Sequence, residues 1–262
     1  MKIKRIIPCL LLRNNGLVKT KKFSDAVYIG DPINAVRIFN EKEVDELIFL
    51  DIDATKLKRT PNLQTIQNIA TECFMPFSYG GGVESLDQIE NIIKAGAEKI
   101  IINSNAFLKK GFIAEAAKKF GSSTIVVSVD VRKKLFDNYS VFIQGGSKNT
   151  GLKPVEYAKM FESEGAGEIF LNSVDRDGTM TGYDIELIRM VAEAVKIPVV
   201  ACGGAGKLSD FSEAVNIGRA SAVSAGSFFV FHGKRRAVLI TYPSLGEISQ
   251  LFNNSPDEKP RV

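Results

Sequence analysis

Phe49-Leu50-Asp51 decides the fold, because the same pattern returns as Phe170-Leu171-Asn172 about 120 residues later. Other pairs keep this register, and they are Pro76 with Pro198, Gly81-Gly82 with Gly203-Gly204, and Ala95-Gly96 with Ile217-Gly218. Chance similarity between β/α units seldom holds its register over several elements. We therefore interpret the chain as two halves of four β/α units each, which would close a barrel through a pseudo-twofold.

Strand-like and helix-like patterns alternate along the chain. The β-rich runs are 3–12, 46–51, 77–79, 99–103, 124–130, 168–172, 198–201 and 222–225. Helical patterns between them include 31–44, 61–73, 85–95, 154–164, 184–196 and 208–217. This alternation predicts an α/β protein, a single (β/α)8 TIM barrel with a two-fold internal half-barrel repeat. An open doubly wound sheet is the alternative.

Length and composition are consistent with one domain. The chain has 262 residues, of which 45% are hydrophobic, enough to bury one large core. We expect a single domain over residues 1–262, with a flexible tail over about 250–262. The formal net charge of +4 is small and evenly spread, which argues against a nucleic-acid or membrane partner. A mildly basic site for a phosphorylated small molecule remains compatible with it.

Cysteine and histidine are scarce. Cys9, Cys73 and Cys202 are far apart, and His232 is the single histidine, so we expect neither a metal site nor another cofactor. Such cysteine usage fits a reduced cytoplasm. No stretch approaches the roughly 20 apolar residues of a membrane span. We therefore predict a soluble, cytoplasmic protein.

Two segments after strands have sequences of their own. Residues 19–22 are rich in lysine and are interpreted as a mobile loop over the barrel mouth, where loops carry function. A solvated surface is an equally good interpretation for any one of these lysines. Residues 135–144, with Asp137-Asn138 as the turn, predict a small hairpin after the fifth strand.

Glycines follow the third and seventh strands, as Gly80-Gly81-Gly82 and Gly203-Gly204. Glycine lets backbone amides approach an anion closely, although a glycine pair alone usually marks a tight turn. Phosphates in barrels bind at the carboxyl ends of strands, which adds Asn103, Ser104, Gly178 and Ser227 as candidates. The two symmetry-related sets suggest a substrate with a phosphate at each end.

Asp130 ends the fifth strand, where a carboxylate would point into the mouth and act as a general acid or base. A lone Asp at such a position is a capping residue about as often. Asp51 ends the second strand, and Asp175 and Asp177 add acidic groups beside Arg176, with which they could simply form ion pairs.

Four charged residues begin strands, and they are Arg5, Glu46, Lys99 and Glu168. Side-chain alternation places Lys99 on the same face as Asn103, and Glu168 on the same face as Asn172. If these faces point inward, two cations and two anions meet at the barrel floor and can pair. From spacing alone, four outward-facing charges in solvent are at least as plausible.

A set of motifs spans nearly the whole chain and weakens after about Gly233: Arg5-Ile6-Ile7-Pro8-Cys9-Leu10, Gly30-Asp31-Pro32, Phe49-Leu50-Asp51-Ile52, Gly80-Gly81-Gly82, Asn149-Thr150-Gly151, Gly165-Ala166-Gly167-Glu168-Ile169, Gly182-Tyr183-Asp184 and Gly203-Gly204-Ala205-Gly206-Lys207. Together they resemble the cyclase subunit of imidazole glycerol phosphate synthase. The resemblance implies a phosphorylated ribulosyl aminoimidazole substrate at the barrel top and ammonia delivered from a glutaminase docked at the bottom. It also implies ring formation by one Asp on strand one and one on strand five.

The resemblance and the residues at the carboxyl ends of the strands together predict the site residues. We expect Asp130 to be catalytic. Substrate and phosphate contacts are expected from Lys19, Asp51, Gly82, Asn103, Ser104, Asp177, Gly178, Gly204 and Ser227. The resemblance assigns the ammonia gate to Arg5, Glu46, Lys99 and Glu168, with Glu98 near the glutaminase.

Leu11 departs from the family pattern, because it occupies the position of the strand-one catalytic Asp. Leucine cannot transfer a proton, and one general acid–base step contributes about 10² to 10⁴ in rate. This residue, the segment 14–20 and the ending 236–243 resemble a paralogous branch associated with amidination of sugars in bacterial surface polysaccharides.

Three hypotheses follow. The first is an ammonia-channelling synthase subunit of a glutamine amidotransferase, working with a glutaminase and a sugar amidotransferase. The second is a histidine-biosynthetic cyclase that tolerates Leu11. The third is a catalytically silent scaffold that only activates the glutaminase.

Overall fold

A closed parallel barrel forms the centre of the protein in the computed structural model, which describes residues 4–134, 138–233 and 235–253. Its strands are β1 Arg5–Arg13, β2 Leu47–Asp51, β3 Phe77–Gly80, β4 Lys99–Ile102, β5 Ile125–Lys133, β6 Glu168–Ser173, β7 Val199–Cys202 and β8 Ala222–Ala225. Each strand pairs in parallel with the next, and β8 pairs with β1. The predicted (β/α)8 barrel is confirmed, and the open sheet is excluded.

Helices surround the barrel. They are Pro32–Glu41, Leu63–Glu72, Leu86–Lys94, Ser104–Leu108, Phe112–Phe120, Pro154–Ser163, Ile185–Ala192, Leu208–Asn216, Ser227–Val230 and Leu245–Asn253. Local sequence explains several of their starts: the side chains of Ser85 and Asp184 accept the backbone N–H groups of Gln88 and Leu187 at 3.2 and 3.1 Å. The six helices predicted from sequence are all present.

Alternation along the strands divides the core into two parts. Outward residues such as Phe49, Ile100 and Val127 are buried beneath the helices. Inward residues such as Ile48 and Ile101 form a smaller apolar cluster inside the barrel. The strands are therefore buried on both faces, which explains their nearly continuous apolar sequences.

The glycine repeat has a packing cause. Gly81 and Gly203 both have positive φ, of 119° and 92°. A Cβ at either glycine would collide with the carbonyl oxygen at the end of the preceding barrel strand, that of Asp51 or Ser173. The same close approach between neighbouring strand ends thus selects glycine in both halves.

A hairpin covers part of the mouth, the end of the barrel where the strands terminate. Its strands, Gly16–Lys21 and Ser24–Gly30, pair with each other, and the first also pairs with β1. The sequence predicted a mobile loop over residues 19–22, which is wrong: Lys19 and Thr20 lie in a strand and are 5% and 8% exposed. The contacts that bury them come from distant loops and are invisible in local sequence.

A hairpin is present where the sequence predicted one over residues 135–144, but its first arm is the end of β5, since residues 130–133 pair antiparallel with 139–142. Part of it, including Asp137 of the predicted turn, lies outside the described residues. Of the predicted flexible tail, residues 250–253 end the helix Leu245–Asn253, and the remainder also lies outside them. No helix in the described ranges is both long and apolar enough to cross a membrane.

Candidate functional site

The barrel floor, opposite the mouth, holds a ring of four charges that we call the floor ring: Arg5, Glu46, Lys99 and Glu168. The Arg5 guanidinium donates to one carboxylate oxygen each of Glu46 and Glu168, both at 2.5 Å. Lys99 Nζ lies 3.2 Å from Glu46 and 3.4 Å from Glu168. The alternative of four outward-facing charges is therefore wrong, because alternating cations and anions close a ring inside the barrel.

Burial is uneven within the floor ring. The side chains of Glu46 and Glu168 are 6% and 10% exposed, whereas those of Arg5 and Lys99 are 31% and 23% exposed. Ser78 also donates to Glu46 at 3.0 Å. Burial lowers the pKa of Arg5, but attraction to Glu168 and Glu46 outweighs it and leaves that pKa raised. The cations are therefore partly exposed to water at the floor. The more deeply buried carboxylates rely on the cations to compensate their negative charge.

Above the floor ring, the barrel interior is mostly apolar, although the buried Ser224 and Ser128 share its inward face. The buried cluster there is Ile7, Cys9, Ile48, Ile101, Val126, Phe170, Val200, Cys202 and Ala222. Leu11 and Leu50 pack against it from the mouth side and face each other in register on β1 and β2. Any small molecule that crosses from floor to mouth would pass between these side chains.

Asp130 lies at the mouth and is 7% exposed. Its carboxylate accepts from Ser128 Oγ at 3.3 Å and from Asn103 Nδ2 at 3.2 Å. Burial raises the pKa of Asp130 to about 7, with Asp177 adding to the rise and the Ser128 hydrogen bond opposing it. A carboxylate with this pKa can both donate and accept a proton near neutrality.

Leu11 is half-buried, and its neighbours in register on either side are Leu50 and Val18. The position where the family pattern has a carboxylate on strand one is therefore occupied by an apolar side chain, and both of its neighbours are apolar too. Position 11 therefore holds no carboxylate that could act together with Asp130.

Gly82, Asn103 and Ser104 form one of the two predicted phosphate sets. Asn103 donates to the Ser128 carbonyl as well as to Asp130, and Ser104 accepts the Gln144 backbone N–H at 3.0 Å. Asn103 therefore joins the candidate phosphate residues to Asp130 directly. Gly82 has a φ of +70°, and a Cβ there would lie 2.7 Å from the Arg59 carbonyl oxygen.

The second set, Asp177, Gly178, Gly204 and Ser227, largely holds loops together. Asp177 accepts from Thr20 Oγ1 at 2.8 Å and from the Phe23 N–H at 3.2 Å. A Cβ on Gly178 would collide with the Thr20 carbonyl, and one on Gly204 with that of Gly182. Burial raises the pKa of Asp177, against the hydrogen bonds from Thr20 and Phe23. Ser227 begins the short helix Ser227–Val230 and is buried.

Lys19 is buried beneath the hairpin, where Nζ donates to the Cys9 carbonyl. The ammonium occupies the space that a side chain at Gly226 would fill. Burial lowers the pKa of Lys19, and the nearby Cys9 and Asp177 oppose that shift. This lysine is positioned inside the mouth and is not part of a solvated surface.

Asp51 does not join the Asp130 cluster. Its Oδ1 accepts the backbone N–H groups of Asp53 and Ala54 at 3.1 and 3.0 Å, and Arg59 lies 3.6 Å away. Burial raises the pKa of Asp51, while these hydrogen bonds oppose the rise. The carboxylate caps its own loop and lines a separate cleft.

Sequence reasoning missed two features at the mouth. Ser128 could have been found, because it lies two residues before Asp130 on the same strand and so shares its face. The cleft beside Asp51 had no local signal, since it forms between the turn after β1 and the loop after β2.

Known proteins resemble the chain over most of its length. The family profile described as histidine biosynthesis protein matches residues 5–235. A Pseudomonas aeruginosa protein with the provisional name imidazole glycerol phosphate synthase subunit hisF2 is 51% identical over 245 residues, 94% of this chain and 98% of that protein. The Hydrogenobaculum protein named imidazole glycerol phosphate synthase subunit HisF is 45% identical over 231 residues, covering 88% and 92%.

Proposed function

The chain belongs to the histidine biosynthesis protein family, as a HisF-like subunit of the imidazole glycerol phosphate synthase type, and we propose that it accepts and channels ammonia within a glutamine amidotransferase complex. The ammonia would serve amidination of a surface-polysaccharide sugar. One observation carries the proposal: the floor ring is complete, although Leu11 stands where the family pattern has its strand-one catalytic Asp.

The completeness of the floor ring favours a role in transport. Buried ion pairs are weak contributors to stability, since apolar replacements of similar volume are often neutral or stabilising. A barrel that serves only as a scaffold could carry apolar side chains at all four positions, although removal of a single charge from the ring is costly. The apolar interior above the ring suits a neutral molecule such as ammonia and disfavours ions.

Lys99 is the member best suited to open the ring. Its contacts of 3.2 and 3.4 Å are longer than the 2.5 Å contacts of Arg5. Its stem is flexible, and its ammonium is a compact charge without the fixed hydrogen-bonding fork of a guanidinium, so it can move without breaking a bidentate contact. We infer that Lys99 swings aside when ammonia enters, while Arg5 keeps the two carboxylates in place.

A glutaminase is the partner that this proposal requires at the floor. Phe74 lies in the loop that leads into β3, at the amino-terminal face of the barrel, and is 87% exposed. An exposed aromatic on the same face of the barrel as the floor ring is a candidate interface anchor. The exposed Glu98, one residue before Lys99, lies at the same face.

The channel is tested by the coupling of glutamine hydrolysis to product. Tagged chain is purified with its glutaminase, and amidinated sugar is measured with glutamine and separately with ammonium salt. Lys99→Ala should lower the yield of product per glutamine hydrolysed and leave the ammonium-driven rate unchanged. Lys94→Ala is the control, because that lysine is 68% exposed and pairs only on the surface with Glu90. Unchanged coupling in Lys99→Ala would refute the channel and favour the silent scaffold.

Partner docking has its own test. Phe74→Asp should reduce the amount of glutaminase that co-purifies with the tagged chain. Leu57→Asp is the matched control, because Leu57 is 54% exposed but follows β2 at the mouth. Equal retention of the glutaminase in both variants would mean that docking does not use this part of the floor.

Histidine-biosynthetic cyclase activity is the second candidate, and Asp130 with its pKa of about 7 favours it. The deciding assay supplies the phosphorylated ribulosyl aminoimidazole substrate and ammonium salt. We expect little or no turnover, because Leu11 cannot move a proton; a kcat within about 1 to 10³ s⁻¹ would establish the cyclase instead.

Leu11→Asp should raise that cyclase rate by about 10², the lower end of the contribution of one acid–base group. Leu50→Asp is the matched control, because it places a carboxylate on the neighbouring strand directly opposite position 11. Equal gains in both variants would mean that added charge at the mouth, and not the position of the proton donor, produces the activity.

A further inference from the structure

A second concavity lies at the rim of the mouth, and we call it the rim cleft. It is bounded by the turn after β1, residues 13–15, and by residues 58–65 of the loop and helix that follow β2. Its volume is about 680 Å³, within the range of small-molecule sites. Of the residues predicted for the substrate site, Asp51 alone lines it.

Positive charge dominates the lining of the rim cleft. Arg13, Lys58 and Arg59 line it together with one carboxylate, that of Asp51, which lies 3.6 Å from Arg59, and Arg13 pairs with Asp53 outside the lining. The Arg13 and Arg59 side chains are 41% and 42% exposed, so both guanidinium groups can reach a ligand. An excess of arginine in a concave site favours an anion, and the planar guanidinium fork matches phosphate geometry.

Arg13 is held ready for such a ligand. Its Nε donates to Asp53 Oδ2 at 2.8 Å. This bond uses one of the five N–H groups of the guanidinium and fixes its orientation. Asp53 is 9% exposed, so the anchoring carboxylate is withdrawn from solvent while the arginine extends toward the cleft.

Neutral hydrogen-bonding groups line the rest of the rim cleft. Asn15 Oδ1 accepts from Asn62 Nδ2 at 3.3 Å and from Thr65 Oγ1 at 3.5 Å, which ties the two walls together. Asn14 and Asn15 have φ values of 47° and 63°, a left-handed turn that asparagine tolerates. Amide and hydroxyl side chains supply both donors and acceptors, as a hydroxylated ligand requires.

We infer that the rim cleft binds a phosphorylated, polyhydroxylated small molecule of the sugar-phosphate class. Its phosphate lies against Arg13 and Arg59, and its hydroxyl groups lie against the asparagine side chains. The site uses neither the floor ring nor Asp130, so the inference stands independently of the proposed function.

Three probes separate the chemical requirements: ribose 5-phosphate, ribose and inorganic phosphate. Binding is measured by calorimetry and by backbone amide shifts in a ¹⁵N-labelled protein. Ribose 5-phosphate should bind tighter than inorganic phosphate and shift the amides of Asn14, Asn15 and Asn62. Equal affinity for ribose 5-phosphate and inorganic phosphate would overturn the sugar part of the inference.

Variants locate the site. Arg13→Gln with Arg59→Gln should weaken ribose 5-phosphate binding at least tenfold, and Lys58→Gln should weaken it less. Lys58→Gln also covers the case in which the double variant fails to fold, because Lys58 is exposed. Lys110→Gln should have no effect on binding, because Lys110 is exposed and lies away from the cleft, while the variant removes the same single positive charge as Lys58→Gln. Amide shifts confined to Gly82, Gly178 and Gly204, with unchanged affinity in Lys58→Gln, would place the ligand in the mouth and refute the inference.

Discussion

The floor and the mouth of the barrel both hold buried carboxylates, but they satisfy them differently. At the floor, each carboxylate is bonded to two cations, so the negative charges are stabilised where they stand. At the mouth, Asp130 is bonded to a hydroxyl and an amide, and burial holds its pKa near 7. The floor carboxylates are therefore held in ion pairs, whereas the mouth keeps a carboxylate that changes its charge near neutral pH.

This difference teaches how one half of a site can change while the other persists. Loss of one floor charge would leave each of its two partners with one oppositely charged neighbour in place of two, which is costly for the buried carboxylates. At the mouth, Leu11 packs on Leu50 and the apolar interior and leaves no buried charge without a partner. An apolar residue at this position is therefore compatible with a stable barrel.

The largest expected effect is at the floor. Glu46→Leu removes one of two anions from the ring and leaves Arg5 and Lys99 with Glu168 alone, so the free energy of unfolding should fall by about 3 kcal/mol. Urea denaturation followed by circular dichroism measures it. Glu90→Leu is the control, because its pairs with Lys94 and Lys119 are on the surface and its loss should change the midpoint little. Similar losses of unfolding free energy in both variants would mean that ion pairs at the floor stabilise the fold no more than surface ion pairs do.

The next effect is the pH dependence at the mouth. With a folded pKa of about 7 and an ordinary value of 3.8 for the unfolded chain, Asp130 binds more proton in the folded state between these values. Stability should therefore fall as pH rises through this window, by up to about 1.4 kcal/mol per pH unit, and the slope should end above about pH 7.

Asp130→Asn should remove that part of the slope, measured as the difference in unfolding free energy from wild type at several pH values. Glu90→Gln should leave the slope between pH 5 and 7 as in wild type, because its surface pairs lower the pKa of Glu90 to about 2. An unaltered slope in Asp130→Asn would show that this carboxylate does not change its charge across the range.

The smallest effect concerns the hairpin that covers the mouth. Thr20→Val removes the hydroxyl that donates to Asp177 and should cost about 1 kcal/mol, with faster protease cleavage between residues 19 and 25. Thr71→Val, on an exposed helix surface, should not change that cleavage. Equal cleavage of Thr20→Val and wild type would mean that Asp177 does not hold the hairpin in place.

The sequence by itself determined the barrel, because alternating apolar strands and amphipathic helices leave few ways to bury both faces of a parallel sheet. It also predicted that Asn103 lies at the carboxyl end of the fourth strand and Asp130 on the fifth, since strand patterns are local, but β5 continues beyond Asp130 to Lys133. Tertiary structure alone decided that Arg5, Glu46, Lys99 and Glu168 meet inside the barrel, because either face of a strand accepts a charge at its first residue. It likewise decided that Lys19 is buried and that the rim cleft exists. Those features depend on contacts between distant loops, whose free energy is set by packing and desolvation and leaves no periodic pattern in the chain.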